Sequence, residues 1–156
     1  MRLKPTTLSA ATLLIWAVLL WTTAEAAEVK WHAYSPGLKL AQEQGKNILI
    51  NFYADWCGYC RKMDQETFTD EDVAAYLDKN FITIKVNADK AKDLAASYQV
   101  QGLPMLWFVE PSGERIAAQP GFVTAKQLMT ILKFIQTNAY KQMSFKDFLE
   151  KGLERQ

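Results

Sequence analysis

Apolar residues along the chain recur with two different periods. Ile48-Leu49-Ile50-Asn51-Phe52-Tyr53 is nearly continuous, as expected of a buried central strand. Phe81 to Val86 and Met105 to Val109 are further strand-forming runs. Pro111-Ser112-Gly113 signals a turn, with Arg115 to Ala118 as the hairpin partner of the second run. Trp31, Ala33 and Tyr34 suit a short first strand. The segments between carry helical signals. Ser35-Pro36 predicts an N-cap and first helical residue, for a helix that reaches about Gln44 and stops at Gly45. A helix is expected from near Cys57 to about Thr67. Thr69, with Asp72 three residues on, is expected to cap the next, whose buried side would use Val73, Ala75, Tyr76 and Leu77. Asp89 to Tyr98 reads as helical. Thr124 would cap a helix carrying Leu128, Ile131, Leu132 and Ile135 at helical spacing. Ser144 would cap a short last one with Phe145, Phe148 and Leu149. With no repeat, linker or low-complexity stretch, one α/β domain is predicted.

The first 26 residues obey a different rule. Arg2 and Lys4 precede an uncharged apolar run from Leu8 to Trp21, and Ala24-Glu25-Ala26 is a small-x-small cleavage signal. This is the pattern of a secretory signal peptide over residues 1–26. The run is shorter than the ~20 residues a bilayer span needs, and an uncleaved anchor is the alternative. The domain would then occupy residues 27–156, in a periplasmic or secreted setting where a disulfide can persist. Removing Arg2, Lys4 and Glu25 balances the acidic and basic side chains, so nothing here invites nucleic acid. The composition, 49% hydrophobic and 22% charged, excludes a disordered chain. Two cysteines, even with the single His32, cannot supply four zinc ligands, and no metal site is expected.

The chemistry is concentrated in Trp56-Cys57-Gly58-Tyr59-Cys60, directly after a predicted buried strand and at the start of a predicted helix. Two residues between the cysteines let one helical turn bring the sulfurs together. The helix N-terminus offers Cys57 unpaired N–H groups and partial positive charge, which favours thiolate over thiol. The thiolate is the nucleophile of disulfide exchange. Cys60, one turn further in, is shielded and suits the resolving role. An inert closed disulfide is the alternative, but a loop this short gives little chain-entropy stabilisation.

The stretch Asn51-Phe52-Tyr53-Ala54-Asp55-Trp56-Cys57-Gly58-Tyr59-Cys60, the segment Tyr98-Gln99-Val100-Gln101-Gly102-Leu103-Pro104 and Gly121 together resemble the thioredoxin family. The resemblance covers roughly Val29 to Thr137, leaving 138–156 as a C-terminal helical extension. It implies the thioredoxin fold, a central mixed β-sheet flanked by helices, here with an extra C-terminal helix. Tyr-Ala-Asp-Trp-Cys and the following Arg61-Lys62-Met63-Asp64 bring the chain closer to secreted members, notably the C-terminal domain of the membrane electron carrier DsbD. The Gly58-Tyr59 dipeptide looks like that of bacterial disulfide isomerases. From the resemblance, Leu103-Pro104 should be a cis bond facing the cysteines, with the Leu103 backbone free to pair with an extended substrate. Absent the family, Pro104 could simply open a strand. Trp56 and Tyr59 should line the rim, although Trp56 could equally pack in the core.

One position departs from the family. Thioredoxins usually carry a buried Asp six residues before the first cysteine, where this chain has Asn51. An amide cannot accept a proton at neutral pH. Asp64, four residues after Cys60 and seven after Cys57, shares a helix face with both, and is the candidate to assist deprotonation of Cys60. A solvated surface carboxylate is the competing account, and Asp55 is expected at the rim. His32, Lys90, Lys92 and Asp93 look like ordinary surface or packing residues. The expected function is thiol–disulfide exchange with exported proteins, on the reducing or isomerising side. The Cys57–Cys60 disulfide would be the only cofactor, a membrane thiol carrier the electron source, and a monomer the state, no dimerisation domain being visible. The alternative is a non-catalytic chaperone or assembly factor that holds clients at the Pro104 groove.

Overall fold

Five strands form one mixed sheet in the order β1-β3-β2-β4-β5. A computed structural model describes residues 28–153, so the predicted signal peptide lies outside the described residues. In chain order the elements are β1 (Trp31–His32), α1 (Tyr34–Gln44), β2 (Asn47–Tyr53), α2 (Gly58–Glu66), α3 (Glu71–Asn80), β3 (Phe81–Asn87), α4 (Lys92–Ser97), β4 (Met105–Val109), β5 (Arg115–Pro120), α5 (Ala125–Gln136), a 3-10 turn (Ala139–Lys141) and α6 (Phe145–Leu153). β3 runs parallel to β1 and β2, while β4 is antiparallel to both β2 and β5. This is the expected mixed sheet flanked by helices.

The alternation of β2 divides the core. Leu49 joins Leu106 and Phe108 of β4, Met63 of α2, Val73 and Leu77 of α3, and Leu128, Leu132 and Ile135 of α5. Ile48, Ile50 and Phe52 point the other way, into a cluster with Ile84, Val86 and Tyr98 beneath α1 and α4. On that second side α1 approaches β3 so closely that a Cβ on Gly37 would lie 2.5 Å from Ile84 Cγ1. Glycine there is a matter of space.

Several helix starts differ from expectation. α1 begins at Tyr34 with Ala33 as an uncapped N-cap, rather than at Ser35-Pro36. Tyr34 is drawn in by its hydroxyl bond and edge-on ring contact with Tyr98. Pro36 is tolerated because its missing N–H falls among the unpaired donors of the first turn. α3 is capped by the Asp70 carboxylate on Val73 N–H, not by Thr69, whose hydroxyl donates to Gln65 O at the end of α2. The ionised acceptor is the stronger cap. Ala74, not Ala75, takes the buried place on α3. α4 is shorter than the expected 89–98 because Asn87 Oδ1 accepts from the N–H groups of Asp89 and Lys90 and bends the chain first. Thr124 caps α5 as expected, and Gln127 completes a capping box with it. α6 rests on Phe134 through Phe145 and Phe148, both with ring centroids 5.2 Å away. The C-terminal extension therefore docks on its own domain.

Candidate active site

β2 ends at Tyr53, and after four intervening residues the chain enters α2 at Gly58. Cys57 N–H closes the turn on Ala54 O at 3.1 Å. Cys57 itself is the N-cap of α2, and its sulfur accepts the Cys60 N–H at 3.1 Å. The cap position, normally filled by an oxygen, is occupied by the sulfur. The first turn of the helix therefore directs a backbone donor at the Cys57 sulfur. Cys57 and Cys60 are joined in a disulfide, and both are nearly inaccessible.

A second chain segment meets this turn. Leu103-Pro104 is a cis peptide bond, and Leu103 packs against Ala54, Cys57 and Cys60. Gly121 N–H donates to Pro104 O at 2.8 Å, with Gly121 at φ 80°, a conformation natural to glycine. Around the pair, Trp56 is 70% and Tyr59 66% exposed, so Trp56 is a rim residue and not a core one. Gly58 is the first helical residue. The fold thus gathers Cys57, Cys60, Gly58, Leu103, Pro104 and Gly121 under an apolar rim. A groove of about 800 Å³ between α3 and α5 holds none of these residues.

Polar contacts fix the rim. Trp56 Nε1 donates to Asp89 Oδ2 at 2.9 Å. Asp55 accepts from Asn87 Nδ2 at 3.1 Å and lies 3.5 Å from Lys90 Nζ, while Arg61 donates to Asp55 O at 2.9 Å. The β3–α4 turn is therefore pinned to the segment before Cys57. Asp55 is at the rim, as expected. Lys90 is paired there, where the sequence suggested only a solvated face. Asp64 is engaged by Lys85, whose ammonium donates to both carboxylate oxygens at 2.8 and 2.9 Å. The pair is partly buried, 22% and 35% exposed, and the ammonium also lies 4.9 Å from the centre of the Tyr53 ring. Asp64 is thus a fixed carboxylate and not a freely solvated one.

Comparison with known proteins gives the same answer as the geometry. The sequence model of the family described as Thioredoxin-like domain matches residues 34–136. The chain belongs to the thioredoxin-like family. It is 35% identical over 91 residues to a protein disulfide-isomerase of Triticum aestivum, an alignment covering 58% of this chain and 17% of that protein. It is 29% identical over 134 residues to the thiol:disulfide interchange protein DsbD of Actinobacillus pleuropneumoniae, covering 75% of this chain and 23% of the relative. The chain thus spans about a fifth of the length of these curated relatives. Among solved structures it superposes on a thioredoxin from Thermus thermophilus with a TM-score of 0.64 at 26% identity, covering 69% of this chain and 87% of that one. Its Cys-x-x-Cys pair, joined at disulfide distance, stands at the start of a helix in this thioredoxin-like fold.

Sequence reasoning passed over three residues that shape the site. Lys85 was visible as the lone cation in the otherwise uncharged run Phe81 to Val86. Asn87 and Asp89 follow that run as ordinary turn residues. Only the tertiary contact with Trp56 and Asp55 gives them a place at the site.

Proposed function

We propose that the protein reduces or isomerises disulfides of exported proteins outside the reducing cytosol, through its Cys57-Gly58-Tyr59-Cys60 pair. The observation that carries this is the Cys57 sulfur at the N-cap of α2, accepting the Cys60 N–H at 3.1 Å. In the reduced protein the Cys57 thiolate attacks one sulfur of a client disulfide. The client S–S bond breaks, its second sulfur leaves as a thiolate and takes a proton from water, and a Cys57–client mixed disulfide forms. Cys60 then loses its proton and attacks the Cys57 sulfur. The client's first sulfur departs as a thiolate, and the Cys57–Cys60 disulfide of the present structure is restored. A membrane dithiol carrier, oxidised in turn to its own disulfide, returns two electrons. The cysteine pair is the sole cofactor in this scheme, and the protein works as a monomer.

Client binding uses the exposed Trp56 and Tyr59 and the backbone of Leu103 beside Pro104, with Gly58 and Gly121 leaving room for an extended segment. Asp64 assists removal of the Cys60 proton. Its position one turn beyond Cys60, on the same helix face, supports that role.

Trapping tests the whole scheme. Cys60→Ser should accumulate mixed disulfides with exported proteins through Cys57, and a second substitution, Cys57→Ala, should abolish them. If Cys60→Ser traps nothing while clients still associate non-covalently, the protein is a holding module at the Pro104 groove and not an exchange enzyme.

A further inference from the structure

Asn51 is buried, 2% exposed, and its Oδ1 has no hydrogen-bond partner. A buried acceptor without a donor is destabilising, and an apolar side chain of similar shape would avoid the penalty. The retained amide therefore needs a donor that this redox state lacks. The strand register limits the choice. On β2, Asn51 lies between Lys85 of β3 and Leu106 of β4. Its same-face neighbours bracket the first turns of α2: Leu49 shares a cluster with Met63, and Tyr53 packs against the cluster holding Cys60. Cys60 and Met63 are the two buried residues of that helix, one turn apart. Asn51 thus belongs to the patch of sheet that α2 covers with Cys60. Lys85 is the neighbouring donor, but its ammonium turns to the two oxygens of Asp64 and leaves Asn51 Oδ1 without a partner. In the disulfide, Cys60 has no proton to give.

We propose that Asn51 is a redox-linked positioning residue, whose Oδ1 accepts a hydrogen bond directly from the Cys60 thiol only when the pair is reduced. A dithiol reductant breaks the Cys57–Cys60 bond, giving up two electrons and two protons as its own sulfurs join. One proton stays on Cys60 and becomes the missing donor. The other goes to Cys57, or to solvent where Cys57 is a thiolate. The oxidised form then carries an orphan acceptor and the reduced form does not, so the amide biases the pair toward dithiol. A carboxylate in this place would draw the proton away, whereas an amide accepts the hydrogen bond and leaves the proton on sulfur. This deepens the exchange function proposed above, and rests on it only in taking the pair to open and close.

The test compares the wild-type chain with Asn51→Leu, without any client. Equilibration with glutathione should show the variant shifted about fivefold toward the disulfide, the effect of one net hydrogen bond. Its oxidised form should also melt higher than the wild-type oxidised form, while its reduced form gains nothing. No shift, a shift toward dithiol, or equal changes in both redox forms would overturn the proposal. If Asn51→Leu does not fold, Cys57→Ala leaves Cys60 as the sole thiol of the chain, with two cysteines in the sequence. Its S–H infrared stretch should fall below that of an alkanethiol in hydrocarbon, and an unlowered band is the overturning result. Loss of the shift with client trapping intact would remove only the Asn51 role; loss of trapping with the shift intact would remove only the exchange function.

Discussion

The two faces of the sheet are built to different ends. Under α1 and α4, Ile48, Ile50, Phe52, Ile84 and Val86 interlock as an apolar layer. Its polar atoms are aromatic ones: Tyr98 meets the Tyr34 hydroxyl and lies beneath the Arg115 guanidinium, and Trp107 Nε1 is buried without a partner. Burial, reinforced by Tyr34, raises the Tyr98 phenol above its ordinary range, so that side chain stays neutral. Under α2 the same strands break their pattern. Asn51 is buried with an unmet acceptor, and Lys85 ties Asp64 beside it. The contrast is that an amide and an ion pair lie on the face that α2 covers with the cysteines, while the polar atoms on the packing face belong to aromatic side chains.

Substitutions on the two faces should separate these ends. The largest effect belongs to the cysteine turn: Cys57→Ala should reduce disulfide exchange to the uncatalysed rate without unfolding the domain, as followed by reduction of a model protein disulfide together with circular dichroism. On the packing face, Phe52→Ala should destabilise by about 3–5 kcal/mol, read from urea unfolding. Its equilibrium with glutathione should stay near the wild-type value. A large redox shift there would erase the distinction between the faces. Asp64→Asn should slow client reduction at neutral pH by about a hundredfold at most, and Lys85→Met should alter the same pH–rate profile. An unchanged profile in both would leave the ion pair a structural one. Gly37→Ala, which drives a methyl group into Ile84, should destabilise by about 1–3 kcal/mol with activity per folded molecule intact.

The smallest effect lies far from either face. The Lys141 ammonium, and then the Tyr140 hydroxyl, hold the Glu110 carboxyl below its ordinary value of 4.5. A lowered folded-state value gives stabilisation that is present above 4.5 and fades as the pH falls through the acid range. Glu110→Gln should therefore loosen the 3-10 turn before α6 slightly at neutral pH and not at pH 3, as followed by hydrogen exchange. It should leave the cysteine equilibrium untouched.

Much of this was legible in the chain, and the failures share a cause. The strands at 48–53, 81–86 and 105–109 showed as apolar runs because a central strand is buried on both faces. The cap at Thr124 showed because its partner, Gln127, is three residues away. Cys57 and Cys60 showed because their relation is local too. The start of α1 was misplaced because a ring 64 residues away, Tyr98, draws in Tyr34. The cap of α3 was placed one residue early because Thr69 is used by the preceding helix. Lys85 was overlooked because its partner lies 21 residues back, on an element that touches it only after folding.

By itself the sequence determined the periods, the local caps and the pair of sulfurs one helical turn apart, since each depends on neighbours within about four residues. Only the tertiary structure decided which of the polar side chains became partners. It set Lys85 on Asp64, Asp89 on Trp56, and left the Asn51 Oδ1 buried without a partner. Pairings of that kind depend on strand register and helix docking, and these become fixed only once the apolar faces have met.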